Sequence, residues 1–157
     1  MAFCAWLSAQ TGQEIRLPSE PEWERAARHT DGRSYPWGDA GDLAQHCNMS
    51  DTGIGSPSAV GIFPSGHAIC GAADMAGNVW EWTRSLWGVD IEKPDYGYPY
   101  QADDGRENPD APATVRRVLR GGSFDYGRHD VRCAYRYWFN PNARSYNVGF
   151  RVVSPGL

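Results

Sequence analysis

Between Arg120 and Arg151 the chain reads RGGSFDYGRHDVRCAYRYWFNPNARSYNVGFR, and two kinds of residue are interleaved there. Asp125, Tyr126, His129, Tyr135, Tyr137, Phe139, Asn140, Ser145 and Tyr146 are large, polar or aromatic and follow no core periodicity. Aromatic rings of this kind give rigid contact area, and Asp, His, Asn and Ser adapt their hydrogen bonds to a ligand, which is the chemistry of a binding face. Gly121, Gly122, Arg132, Ala134, Arg136, Pro141, Arg144, Gly149, Phe150 and Arg151 read as the frame between them. The expected arrangement turns the aromatics onto one solvent-facing surface and turns Arg132, Arg136 and Arg144 into the fold. The tyrosines could instead be ordinary strand residues. So many rings beside Gly and Pro are costly to expose without a use, because large apolar patches invite association.

Other residue types offer less chemistry. The four cysteines, Cys4, Cys47, Cys70 and Cys133, form no CxxC and no zinc spacing with histidine. They do not amount to a disulfide scaffold, although a Cys47–Cys70 bridge is conceivable. His29, His46, His67 and His129 are scattered, and neither an HExxH pattern nor a Ser/His/Asp order emerges.

At 157 residues, with 22% charged and 41% hydrophobic side chains, the chain is expected to be one globular domain with a core of its own. No apolar run approaches 18 residues, so no membrane span is expected. The opening AFCAWLSAQTG lacks a basic leader region and does not read as a signal peptide, which leaves the compartment open. Residues 1–115 carry net −10 and residues 116–157 net +6. The C-terminal arginines are spaced among Gly, Ala and Cys and include no lysine. They read as braces for carbonyls and carboxylates of the acidic part rather than as a patch for acidic partners, and no nucleic-acid partner is expected.

The elements that must position these residues are few. Residues 2–11 read as a helix, with Phe3, Cys4, Trp6 and Leu7 as its apolar stripe and Gly12 as its stop. Ser19, Pro21 and Glu22 open a second helix through a capping box, running to about Arg28 with Trp23, Ala26 and Ala27 inward. Residues 30–75 are rich in Gly, Pro, Ser, Asp and Asn. Residues 76–87 place Val79, Trp80, Trp82 and Trp87 in a strand or turn, and residues 88–114 form a long Pro/Asp/Gly/Tyr loop. Val115–Leu119 and Val148–Val153 read as strands. The expected picture is α+β: two helices on a small, mostly antiparallel sheet with much irregular loop. Trp6, Trp23, Trp37, Trp80, Trp82 and Trp87 are expected in its packing.

RLPSEPEWERAAR (16–28), YPWGD (35–39), DMAGNVWEWT (74–83), RVLRGGSF (117–124) and NVGFRVV (147–153) together resemble the formylglycine-generating-enzyme/sulfatase-modifying family. The resemblance spans nearly the whole chain and implies a C-type-lectin-like fold, here without the strands that usually precede the first helix. The family's enzymes hold copper with two cysteines just after GGS. Those positions fall near Tyr126 and within Arg128–Asp130, where no cysteine stands, so the catalytic function is expected to be absent. The DMAGNVWEW segment resembles the family's calcium loop. That resemblance implies a structural calcium ion held by Asp74, Glu81 and the carbonyls of Gly77 and Val79, in keeping with the oxygen ligands a hard cation prefers. A tight turn with Asp74 and Glu81 paired to arginines is the other reading.

The C-terminal third also resembles the variable proteins of diversity-generating retroelements, whose templates are mutated at adenines. The residues at 125–127, 129–130, 135, 137, 139–140, 143 and 145–146 are all reachable from AAY codons by changing adenines; Trp138 is not. The expectation is therefore a non-enzymatic domain, residues 1–157, that displays a changeable surface within residues 120–153 to a protein or other macromolecular ligand. An oxidase of the same family and a structural domain of a larger protein are the alternatives.

Overall fold

A computed structural model describes residues 2–39 and 41–155. Helix α1 spans Ala2–Thr11 and ends at Gly12, whose positive φ of 70° suits a residue without Cβ. Helix α2 spans Glu20–Arg28 and is capped as expected. The Glu22 amide donates to Ser19 Oγ (3.4 Å), and the Ser19 amide donates to Glu22 Oε2 (2.8 Å). Arg16 then clamps the Glu22 carboxylate through two hydrogen bonds of 2.6 and 2.7 Å, tying the helix start to the preceding chain.

Four strands follow: β1 (Trp80–Gly88), β2 (Arg116–Arg120), β3 (Tyr137–Phe139) and β4 (Val148–Phe150). They form one sheet in the order β3-β2-β1-β4. β1 pairs with β2, and β2 with β3, in antiparallel fashion; β4 joins the other edge of β1 in parallel, so the sheet is mixed. The register places Glu81 opposite Arg120 and Leu119 opposite Tyr137. Irregular chain with three short 3-10 turns fills the space between α2 and β1.

The core lies between α2, the sheet and these loops. Trp23, Ala27, Ala68, Met75 and Cys133 form one buried cluster, and Cys47, Met49, Ala76 and Val131 another. Two glycines permit the close approaches. A Cβ on Gly77 would stand 2.2 Å from the Asn48 carbonyl oxygen, and one on Gly122 would stand 2.7 Å from the Val131 side chain. Both glycines also hold positive φ, at 72° and 74°.

Arginines supply the pins that so loop-rich a fold requires. Arg120 and Glu20 are both fully buried, and Arg120 also reaches Glu24 (2.7 Å) and the Cys133 carbonyl (2.6 Å). Arg136 closes the network on Glu20 with bonds of 2.6 and 2.9 Å. Arg106 is held by Asp104, and Arg151 by Glu81.

The structure corrects several expectations. Arg136 points inward, but Arg132 and Arg144 are exposed. Val131 and Cys133 take the buried positions on either side of Arg132 and send its side chain to solvent. In α1 only Cys4 is buried; Phe3 and Trp6 of the expected apolar stripe are 47% and 56% exposed, so Trp6 stays out of the core and meets Phe3 at the surface (5.7 Å). Cys47 and Cys70 are both free thiols, the first buried and the second exposed.

Candidate functional site

Trp80 organises the candidate site. It sits on β1, next to β4, with its ring almost wholly buried. Tyr137 from β3 stacks on it with centroids 5.1 Å apart. Tyr126 meets it edge-on at 5.2 Å, and Tyr135 lies tilted at 5.9 Å. All three tyrosines remain half-exposed, so the cluster is open at the surface. Trp80 and Tyr137 share a face across β2: Tyr137 pairs with Leu119, Leu119 with Trp82, and Trp80 lies two residues from Trp82 on the same side. The loop carrying Tyr126 is fixed by backbone, through the bond from the Ser50 amide to the Tyr126 carbonyl (3.0 Å) and that from the Phe124 amide to the Asn78 carbonyl (3.0 Å). The indole N–H of Trp80 is buried and finds no acceptor among the described residues.

Burial, with the neighbouring Tyr137 and then Asp125 adding to it, pushes the Tyr126 phenol up to about 12. Tyr135 is also raised, first by burial and then by the nearby Asp130 carboxylate. Both phenols therefore stay protonated at neutral pH.

A second group of predicted residues meets at Asn147. Its side-chain amide donates to both oxygens of Asp125 (3.2 Å each) and accepts from Ser145 Oγ (2.6 Å). Asp125 also accepts from Ser123 Oγ (2.7 Å) and the Tyr146 hydroxyl (3.2 Å). Partial burial raises the Asp125 pKa, but these hydrogen bonds outweigh it and hold the carboxyl below its ordinary value. Tyr146 covers Phe124 at 5.9 Å and is 74% exposed.

Six of the nine predicted ligand-binding residues thus fall into two adjoining groups: Tyr126, Tyr135 and Tyr137 on Trp80, and Asp125, Ser145 and Tyr146 around Asn147. Phe139 packs separately against Trp82 at 6.2 Å. His129 is exposed and contributes its carbonyl to Arg132. Asn140 uses its side chain in a turn, accepting from the Asn142 amide at 2.9 Å. Sequence reasoning missed two residues, Trp80 as the platform and Asn147 as the hub. The tryptophan looked like any core residue. Asn147 sat inside a motif with hydrophobic and glycine neighbours, and only its polarity at a strand start marked it.

The residues of the expected calcium loop have partners within the fold. Both Glu81 oxygens meet Arg151 (2.5 and 2.7 Å), and one also accepts the Trp23 indole N–H (2.6 Å). The Asp74 carboxylate accepts from the Gly61 amide (2.8 Å), and its carbonyl accepts from Arg151 (3.3 Å). The Gly77 amide donates to the Gly121 carbonyl, and Val79 packs against Gly149.

The family model of the sulfatase-modifying factor enzyme 1-like domain matches residues 1–155. The chain belongs to this family. It is 35% identical to hercynine oxygenase of Mycolicibacterium thermoresistibile over 97% of its own length and 33% of that protein's. It is 37% identical to formylglycine-generating enzyme of Streptomyces coelicolor over 88% of its length and 46% of that protein's. Among solved structures, Treponema denticola variable protein 1 superposes with a TM-score of 0.67 at 25% identity, over 89% of this chain and 47% of that one. The lectin-like α+β fold and the likeness to both branches of the family thus hold. The chain spans about a third to a half of the length of these curated relatives.

These relatives overturn the expectation of a non-enzymatic domain, because hercynine oxygenase and formylglycine-generating enzyme are enzymes. The missing cysteines after GGS argue only against one form of copper chemistry. The residues at those positions, Tyr126 and Arg128–Asp130, do not fit a two-thiolate copper site. Cys133, close by in sequence, is buried, and burial pushes its thiol up to about 12. Among the described residues, no group of three or more His, Cys, Asp and Glu side chains gathers to hold a metal.

Proposed function

We propose that this chain is the substrate-binding part of an oxidase or oxygenase of the sulfatase-modifying factor family. Its oxygen-activating centre draws on donors other than this chain's cysteines. The observation that carries the proposal is the open aromatic cluster: three half-exposed tyrosines around the buried Trp80, with the Asp125 network on its flank. Open aromatic surfaces with adaptable polar groups at their edge are suited to ligand contact. The tyrosine rings would cover the apolar part of a substrate, and their hydroxyls would donate to its acceptors. Hercynine, the substrate in the relatives' name, and a cysteine-containing peptide are the two substrate classes to test.

The test is oxygen uptake by the full-length protein, supplied with iron or copper, in the presence of hercynine or of a cysteine-containing peptide. Uptake that depends on one of these substrates, and a kcat/KM that falls at least ~10-fold in Tyr137→Ala with the circular dichroism unchanged, would support the proposal. Uptake with neither substrate, or uptake indifferent to both Tyr126→Ala and Tyr137→Ala, would refute it.

A second reading has one specific observation in its favour. The chain is similar in fold to Treponema denticola variable protein 1 over 89% of its length, and it carries a set of residues reachable from AAY codons. In that reading the same surface is diversified by a retroelement and shown to a macromolecular ligand. A near-copy of the codons for residues 120–153 beside a reverse-transcriptase gene, differing at adenines, would decide for it.

A further inference from the structure

A separate cavity of about 320 Å³ lies between α1 and the sheet, and it shares no lining residue with the aromatic cluster. Its walls are apolar: Phe3 and Cys4 from α1, Trp82 from β1, Phe150 from β4, and Pro141. One charged residue lines it, Arg117 of β2.

Arg117 differs from the other buried arginines. Three arginines are buried among the described residues: Arg106, Arg117 and Arg120. Arg106 is held by Asp104 (2.6 Å), and Arg120 by Glu20 and Glu24 (3.1 and 2.7 Å). Arg117 has only carbonyls: those of Arg84, Asn108 (3.5 Å) and Pro109 (3.3 Å). No carboxylate forms an ion pair with it among the described residues; Glu107, paired with Arg84 (3.1 Å), acts on it only from farther away. A buried guanidinium without a directly paired carboxylate has given up its water for partial dipoles, an expensive arrangement unless an anion joins it.

We propose that this cavity binds a small amphipathic carboxylic acid. Its carboxylate meets the Arg117 guanidinium, and its hydrocarbon lies along Trp82, Phe150 and Phe3. Charge complementarity selects the anion, and a carboxylate matches the planar fork of arginine. The apolar remainder of the wall selects a hydrocarbon tail over a fully polar anion such as free phosphate. Volumes near 300 Å³ are at the small end of ligand pockets, which suits a medium-chain or single-ring acid. The inference is independent of the proposed oxygenase function.

The test uses the full-length protein with any flanking segments in place. Octanoate is titrated and followed by Trp fluorescence and calorimetry, with octanol and octylammonium as the neutral and cationic probes. The expected result is saturable octanoate binding, with both other probes weaker by at least ~10-fold, as befits a hydrogen bond to a charged group. Arg117→Gln should abolish the preference. Should that variant fail to fold, Ala113→Phe, which fills the cavity mouth without touching the guanidinium, should weaken octanoate by a similar factor. Absence of saturable octanoate binding, equal affinity for octanol or octylammonium, or indifference to Ala113→Phe would each overturn the proposal. Occupation of the cavity by a flanking segment of the same protein would register as the first of these.

Discussion

The α2–β2 contact and the Trp80 cluster both set aromatic rings beside charged groups, yet they serve opposite ends. In the first, Trp23 lies under Arg120 at 5.3 Å, and Arg120 is neutralised by Glu20 and Glu24. Ring, guanidinium and the Glu20 carboxylate are all buried. In the second, three tyrosines surround a buried tryptophan but stay half-exposed, with Asp125 at the rim. The first arrangement has spent its charges on itself and can only hold the fold together. The second leaves tyrosine rings open to solvent, which is what a ligand requires.

The largest effect should come from breaking the closed region. Arg120→Ala leaves the Glu20 carboxylate buried with Arg136 as its remaining partner and also strips the Cys133 carbonyl of its donor. Removing one partner of a buried pair costs about 3–5 kcal/mol. Chemical denaturation should read that loss, and Arg120→Lys should recover only part of it, since an ammonium cannot span both glutamates. A loss below about 1 kcal/mol would mean that the pins lie elsewhere.

The open region should respond less and unevenly. Tyr137→Ser removes the ring stacked on Trp80, and aromatic pairs contribute about 0.5–1.5 kcal/mol beyond their buried area. Tyr146→Ser removes a ring that is 74% exposed, so its cost should stay within about 0.5 kcal/mol. Equal losses in the two variants would erase the distinction between platform and rim.

Acid should weaken the entry to α2. Hydrogen bonds from Arg16 hold the Glu22 carboxyl down to about 2, against the opposing effect of burial. A depressed folded-state pKa contributes stability that is present above the unfolded glutamate's value, near 4.5, and is lost as the pH falls toward 2. Glu22→Gln should flatten the acid limb of the stability curve in that window. An unchanged limb would assign the acid sensitivity to other carboxylates.

The smallest effect expected is that of calcium. An ion at the DMAGNVWEW loop would compete for Glu81 oxygens that already meet Arg151 and Trp23. Calcium or chelator should therefore change stability by no more than about 0.5 kcal/mol, the scale of a surface substitution. A larger, saturable calcium response that Glu81→Ala abolishes would show that the ion displaces the guanidinium.

The sequence by itself determined the local elements and the family. The capping box, Gly12 and the short Val115–Leu119 stretch are short-range signals, and they place α1, α2 and β2 to within a residue or two. The motifs from Arg16 to Val153 identify the lectin-like fold for the same reason: each records a local packing requirement, such as the lack of a Cβ at Gly77 and Gly122. Tertiary structure alone decided which side chains face which way in the irregular half. Arg132, Arg136 and Arg144 look alike in sequence, but only Arg136 finds a buried carboxylate, Glu20, which comes from 116 residues away. The same holds for Trp80, whose role as a platform depends on strands and loops brought together from residues 126, 135 and 137. Arg117 is the sharpest case, because its want of a directly paired carboxylate is a statement about everything packed around it. Periodicity reports on neighbours one or two turns away; partners that meet across the sheet leave no such trace in the chain.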